Sequence, residues 1–273
     1  MTALPKTAWR YARLLGSLAR YTLNRELAFR GNFLVKISVE AIWLGILLAF
    51  YSTVFARTKS VAGWSEAEYM FFVGCFFALN GLIETLFLEN CNEFAELVRT
   101  GDLDFLLLRP IDEQFLITCR RVDWATAPNV VMGGAVMVGS LVKMGWHFDL
   151  IRVLAFLATF GCGVAIAYCF MLLLTSLSVW LVRNQSLMEM WWLFSSLARY
   201  PKEIFAGTWA APVGLFFTFF LPILLVVNVP ANAMVRVLQP EMIAFTLAAT
   251  AILMWASRRF FQHALRSYRS ASS

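Results

Sequence analysis

The chain has 273 residues, 60% hydrophobic and 15% charged, and carries a net charge of +6. Its mean hydropathy of +0.69 is more than a water-soluble domain can bury inside itself, which excludes a soluble globular enzyme. Apolar stretches of about 17–25 residues, the length that crosses a hydrocarbon core, use up roughly half the chain and leave too little for a separate soluble domain. The basic residues lie in short loops between these stretches and form no continuous patch, which fits an anionic membrane leaflet better than nucleic acid.

Residues 1–32 lack the continuous apolar core of a signal peptide; an Arg-rich organelle transit peptide is the minor alternative. Tyr11, Leu14, Leu15, Leu18, Tyr21 and Thr22 recur at helical spacing opposite Arg10, Arg13 and Arg20, which predicts an amphipathic helix lying in the membrane interface or packed on a partner. Hydropathy then predicts spans at Phe33–Phe55, Tyr69–Leu88, Trp124–Met144 and Leu150 to near Leu181, the last over-long for a bilayer. Two readings of the last third stay open. Either Ser186–Phe205 is the fifth span and Ala211–Val235, broken by Pro222 and Pro230, is a re-entrant hairpin, or the proline-containing stretch is itself the span. Both end with a span over Met242–Trp255 and give six crossings, so the termini share one side. With the hairpin, Lys and Arg divide 15 to 7 in favour of cytoplasmic termini; with the plain span the division is 17 to 5.

The longest loop on the cytoplasmic side, 89–123, holds Glu93, Glu96 and Arg99 at helical spacing, then Gly101 as a C-cap and Pro110 as a stop. This predicts a short, rigid, charged helix at the inner membrane edge. Gly101-Asp102-Leu103-Asp104 followed by Leu107-Leu108-Arg109-Pro110 resembles the G-x-L-D-x-x-L-x-R-P signature of small permeases of type-2 ATP-binding-cassette exporters. Phe29-Arg30-Gly31-Asn32, Tyr200-Pro201-Lys202-Glu203-Ile204-Phe205, the Pro222 to Pro230 stretch and the Arg-rich tail are similar to the same family. The resemblance implies an all-α integral membrane protein of six transmembrane helices, with an N-terminal interfacial helix (1–32), one permease domain (33–258) containing a cytoplasmic connecting helix at about 89–110, a re-entrant hairpin before the last span, and a basic tail (259–273). It further implies a bacterial cytoplasmic-membrane location and assembly with a pair of ABC ATPase subunits and a second permease, a paralogue or an identical copy. Glu93, Glu96, Arg99, Gly101, Asp102, Asp104, Arg109 and Pro110 would then couple to the ATPase.

The sequence contains no G-x-x-x-x-G-K-[S/T] loop, so ATP and Mg are expected in the partner and no cofactor in this chain. Ionisable groups inside spans are costly and need partners. Lys36 and Glu40 lie one turn apart on the first span, as do Asn80 and Glu84 on the second. A Lys36–Glu40 or Lys36–Glu84 pair is the expected clasp, with substrate contact as the alternative. Phe216, Phe217, Phe219 and Phe220 are expected near the outer mouth as a gate, with Pro222 and Pro230 shaping its turns. Ala135 with Gly139 and Gly163 with Ala167 have the small-xxx-small spacing of helix-packing seams. Cys75, Cys162 and Cys169 read as small hydrophobes within spans, and His147 and His263 lie too far from other ligands for a metal site. Asp102-x-Asp104 leaves a glycosyltransferase-like membrane enzyme as one rival, but no large loop exists to build a sugar-nucleotide pocket. An ion-coupled secondary transporter is the other; it would show internal repeats and midplane charges in both halves.

Overall fold

A computed structural model describes residues 4–181, 185–207 and 210–268, and among them all regular structure is helical. Helix α1 covers Leu4–Ala28 and breaks at Phe29 before α2, Arg30–Phe55. Helix α3, Glu66–Ile83, starts with a capping box in which the Ser65 N–H and hydroxyl both donate to Glu68 at 2.8 Å. A π-turn at Glu84–Leu88 joins α3 without a break to α4, Glu89–Thr100. Two short helices follow, α5 (Leu103–Leu107) and α6 (Glu113–Thr118), and then α7 (Pro128–Lys143) and α8 (Leu150–Leu177). Helix α9, Gln185–Ala198, leads through a 3-10 turn to α10, Ala211–Leu215; α11, Ile223–Val235, and α12, Pro240–Ser267, complete the chain.

The bundle is built around α3, α8 and α11, which carry most of the fully buried side chains, while α2 lies at the edge with its apolar surface largely uncovered. In lipid, apolar burial gives helices little reason to associate, so close van der Waals approach has to supply the cohesion. Glycine provides it. At the α3–α7 crossing a Cβ on Gly133 would lie 2.5 Å from the Ala78 nitrogen and 2.6 Å from the Gly74 carbonyl, and one on Gly81 would lie 2.6 Å from Asn129. Gly163 is equally tight against the Val226 carbonyl of α11. Of the two expected seams, then, Gly163 packs within the molecule, whereas Gly139 meets nothing within 4 Å and Ala135 is exposed. The buried face of α7 runs through Asn129, Gly133 and Ser140 instead.

Contacts sort the helix ends into two sets. At one end, Trp64 donates to Glu203 at 3.1 Å, Arg236 lies over the Trp64 ring and donates to the Gly63 carbonyl, Lys143 pairs with Glu66 at 2.9 Å, and Trp146 donates to the Met234 carbonyl. At the other end, α1 lies across the bundle: Trp124 donates to the Ala19 carbonyl at 2.8 Å, and the Tyr11 hydroxyl accepts from the Asp112 N–H. Tyr21 departs from the expected apolar face and is 68% exposed.

Four helical segments are long and apolar enough to cross a membrane alone: α2, the continuous Glu66–Thr100 rod, α8 and α12. Helix α7, with 16 residues, runs antiparallel to α3 between the same two ends. Helix α9 runs beside the C-terminal part of α8, where Trp191 meets Phe170, and its chain reaches the Trp64 end at Glu203. The stretch after it does not cross. Glu203 and Arg236 face each other at 3.9 Å, so residues 203–236 leave and return at one end, with an 87° bend between Ala211–Phe220 and Ile223–Val235. That is the re-entrant hairpin. At 13 residues, α11 is about 20 Å long, short of a hydrocarbon core of about 30 Å.

Several boundaries differ from the hydropathy reading. The fourth span stops at Leu177. The last runs on to Ser267, well past Trp255, because an α-helix satisfies its own backbone and continues into water as readily as into lipid. For the same reason the connecting helix begins as the extension of the second span. Pro230 shapes no turn: it is buried inside α11, and the bend falls at Leu221–Pro222.

Candidate functional site

At the α1 end, α4, α5 and α6 form a platform against α8 and α12. Phe94, Leu103, Ile117, Leu172 and Phe261 make its small core, and Gly101 adopts φ 81°, the left-handed cap that turns the chain from α4 into α5. Asn90 holds the loop before α7 by a pair of hydrogen bonds to Arg121, donating to its carbonyl at 2.8 Å and accepting from its N–H at 2.9 Å. Glu93 is turned inward and pairs with both Arg120 and Arg121, and Glu89 adds longer contacts to Arg121 and to Arg25 of α1. Burial pushes the Arg120 guanidinium below its usual pKa, with Glu89 acting in the other direction. Glu93 is therefore an internal tie of the platform, half-buried against the two arginines. Glu96 and Arg99 pair with each other on the open surface, where the hydrogen bond from Arg99 holds the Glu96 carboxyl below its usual pKa.

The face left open on α5 is apolar. Leu103 and Leu106 point inward, whereas Phe105 is 68% exposed and Leu108 is 81% exposed, followed by the exposed Arg109 and Pro110. Asp102 accepts from the Thr100 hydroxyl at 2.8 Å. Asp112 caps α6 by accepting from the Phe115 N–H and pairs with Arg258 of α12 at 2.7 Å. Burial raises the Asp112 pKa, but Arg258 and the cap hydrogen bonds outweigh it and leave the carboxyl below its ordinary value. Phe105, Asn90 and the Asp112–Arg258 pair were not singled out from sequence, and Leu108 only as part of the motif; the unbroken apolar run Phe105-Leu106-Leu107-Leu108, too wide for one buried face of so short a helix, is the signal that could have exposed Phe105 and Leu108.

Within the bundle the expected clasp does not form. Lys36 pairs with Asp123 at 3.7 Å, Glu40 accepts from Asn129 at 3.0 Å and Glu84 accepts from Asn80 at 2.7 Å. The physical reason lies next to Glu84. The π-turn releases the Thr85 carbonyl to accept from the Asp123 N–H at 2.9 Å, which draws Asp123 to the α2 side ahead of either glutamate. Glu40, Glu84, Asn80 and Asn129 instead line one cavity of about 280 Å³ with Arg199, Trp43, Phe76 and Trp192.

The aromatic residues expected at the gate cluster beside the hairpin bend. Phe216 stacks on Phe220 at 5.1 Å, Phe217 meets Phe194 and Phe219 meets Phe245 of α12. Asn228 pins α11 to the chain that follows α9 by accepting from the Lys202 N–H at 2.8 Å. No group of three or more His, Cys, Asp or Glu converges among the described residues, and the five cysteines are all unpaired thiols.

These features define a multi-pass helical membrane protein with a polar cavity inside the bundle, a re-entrant hairpin at one end and a compact platform at the other. The chain belongs to the ABC-2 family transporter proteins, whose family model it matches over residues 41–272. It is thus a transport component of the ABC permease type, a family that implies association with an ABC ATPase. No curated protein and no solved structure matches the chain.

Proposed function

We propose that this chain is the membrane half of an ATP-driven exporter in a bacterial cytoplasmic membrane, with both termini inside and ATP and Mg held by a separate ATPase pair that docks on α5. The observation that carries the reading is the unbroken Glu66–Thr100 rod of 35 residues, about 52 Å long at 1.5 Å per residue, against a hydrocarbon core of about 30 Å. Its surplus carries α5 clear of the lipid. Ties from Glu93 and Asn90 to the loop before α7 let the platform move with the helices it joins. Phe105 and Leu108 form the apolar centre of the contact, with Asp102, Asp104 and Arg109 around it; apolar anchors inside a charged rim suit a separable partner. The second permease, a paralogue or a copy, covers the open face of α2, and substrate leaves toward the Trp64 end past the hairpin. The cytoplasmic side is assigned to the α1 end by the excess of basic residues there, 15 to 7 from hydropathy and 15 to 6 once Arg199 is taken into the bundle.

Co-purification tests this. Leu108→Asp and Phe105→Asp are expected to lower recovery of the ATPase with the tagged permease at least tenfold, while membrane insertion and melting temperature stay within error of the parent. Full recovery of the ATPase with both variants would refute the docking site.

A further inference from the structure

The cavity between α2, α3, α7 and α9 holds two carboxylates and one guanidinium within the membrane-spanning part of the bundle. Groups of this kind are costly there unless a partner or a ligand compensates them. The compensation inside the protein is incomplete at two atoms of opposite kind. Asn129 is 3% exposed; its amide nitrogen is spent on Glu40, and its buried Oδ1 has no hydrogen-bond donor. The Nε of Arg199 is buried and has no acceptor, although the guanidinium lies over the rings of Phe76 at 5.4 Å and Trp43 at 5.7 Å. An occupant that satisfies both must bring a donor to the glutamate end and an acceptor to the arginine end.

The charges ask for the same thing. A group with N–H donors placed between Glu40, Glu84 and Asn129 is best cationic, because it faces two carboxylates; an acceptor for Arg199 is best anionic. Glu40 and Trp43, whose ring the Arg199 guanidinium covers, lie three residues apart on α2, so both poles border the same stretch of that helix. Val39, Trp43 and Trp192 line the cavity and are also exposed on the outside of the bundle, so the opening faces sideways, where acyl chains or a neighbouring permease would lie. An occupant arriving from the bilayer can leave its apolar part along Trp43 and Trp192 while its headgroup enters.

We infer that this cavity binds the headgroup of a zwitterionic phospholipid, its ammonium held by Glu40, Glu84 and the Asn129 carbonyl and its phosphate by Arg199. As the substrate class of the transporter, this rests on the permease reading above; as a binding site, it does not need the ATPase.

The test uses the purified full-length permease in detergent without ATPase, titrated with dihexanoylphosphatidylethanolamine and followed by tryptophan fluorescence. Dihexanoylphosphatidic acid, which lacks the ammonium, and a decylammonium salt, which lacks the phosphate, are expected to bind at least tenfold more weakly. Glu40→Gln with Glu84→Gln and, separately, Arg199→Gln are each expected to weaken the zwitterion at least tenfold. The arginine change should leave the ammonium amphiphile unaffected. Equal binding of all three probes by the parent protein, or of the zwitterion by parent and folded variants, overturns the inference; the probe comparison stands even where a variant fails to fold. Loss of lipid selectivity in a permease that still co-purifies with its ATPase refutes this site alone. Selective binding without ATPase association refutes the exporter reading alone.

Discussion

Two adjacent glycines on α7 separate close helix approach from mere composition as the source of cohesion. A Cβ on Gly133 would sit 2.5 Å from the Ala78 nitrogen and 2.6 Å from the Gly74 carbonyl, about 1 Å inside the ordinary contact distance of about 3.5 Å. Both obstacles are backbone, so neither can swing aside and the two helices must part. Overpacking of this kind costs about 1–3 kcal/mol. Gly134 has nothing within 4 Å of its position, and replacing it by Ala gains the helix preference of about 0.5–1 kcal/mol. Gly133→Ala and Gly134→Ala have identical composition and hydropathy and the same gain in helix preference, yet should differ by the overpacking cost of about 1–3 kcal/mol. At about 2–4 °C per kcal/mol for a chain of this size, that is a gap of at least about 2 °C in detergent melting temperature, with Gly133→Ala below Gly134→Ala and Gly134→Ala at or above the parent. If the two variants shift together, the α3–α7 glycine seam does not hold the bundle.

The link from α6 to α12 should be acid-sensitive: because Asp112 has a lowered pKa, its contribution is present above the ordinary Asp value of about 3.9 and is lost as pH falls through the folded value. The melting difference between parent and Asp112→Asn should therefore be measurable at pH 7, no more than about 1 kcal/mol for so exposed a pair, and should close as the pH falls below the ordinary Asp range; a difference that persists in acid would contradict the assignment. For the hairpin, single cysteines replacing Gly207 and Val237 should react with a membrane-impermeant maleimide from the same side, opposite to one replacing Arg109. Labelling of Gly207→Cys and Val237→Cys from opposite sides would make 211–235 a plain span.

Much of the fold was legible because lipid enforces a crude rule: a run of apolar residues near membrane thickness crosses. The rule fixes where hydrocarbon begins and ends and says nothing about where a helix ends, so the extension of α3 into α4 and of α12 to Ser267 lay beyond it. Gly133 and Gly134 are indistinguishable in sequence, since only the partner helix decides which of them is crowded. Local pairing rules placed Lys36 with Glu40 one turn away or with Glu84 on the second span. The structure pairs it with Asp123, whose position depends on a π-turn that no residue pattern announces. At the platform, the spacing of Glu93, Glu96, Arg99, Gly101 and Pro110 announced a short helix and its end, but the inward turn of Glu93 and the outward turn of Phe105 and Leu108 depend on where Arg120 and Arg121 return. The cavity was visible only as scattered ionisable residues, because Arg199 comes from the turn after α9, more than a hundred residues along the chain from Glu84.

The docking of an ATPase on α5 is tested most directly by a cross-link from Leu108→Cys, at a position 81% exposed in the free chain, to the co-expressed ATPase. The account predicts a specific permease–ATPase adduct formed with a thiol cross-linker of about 8 Å, blocked by Phe105→Asp and changed in yield when ATP hydrolysis is arrested. An adduct that is absent while the two proteins still co-purify would place the ATPase elsewhere and contradict the account.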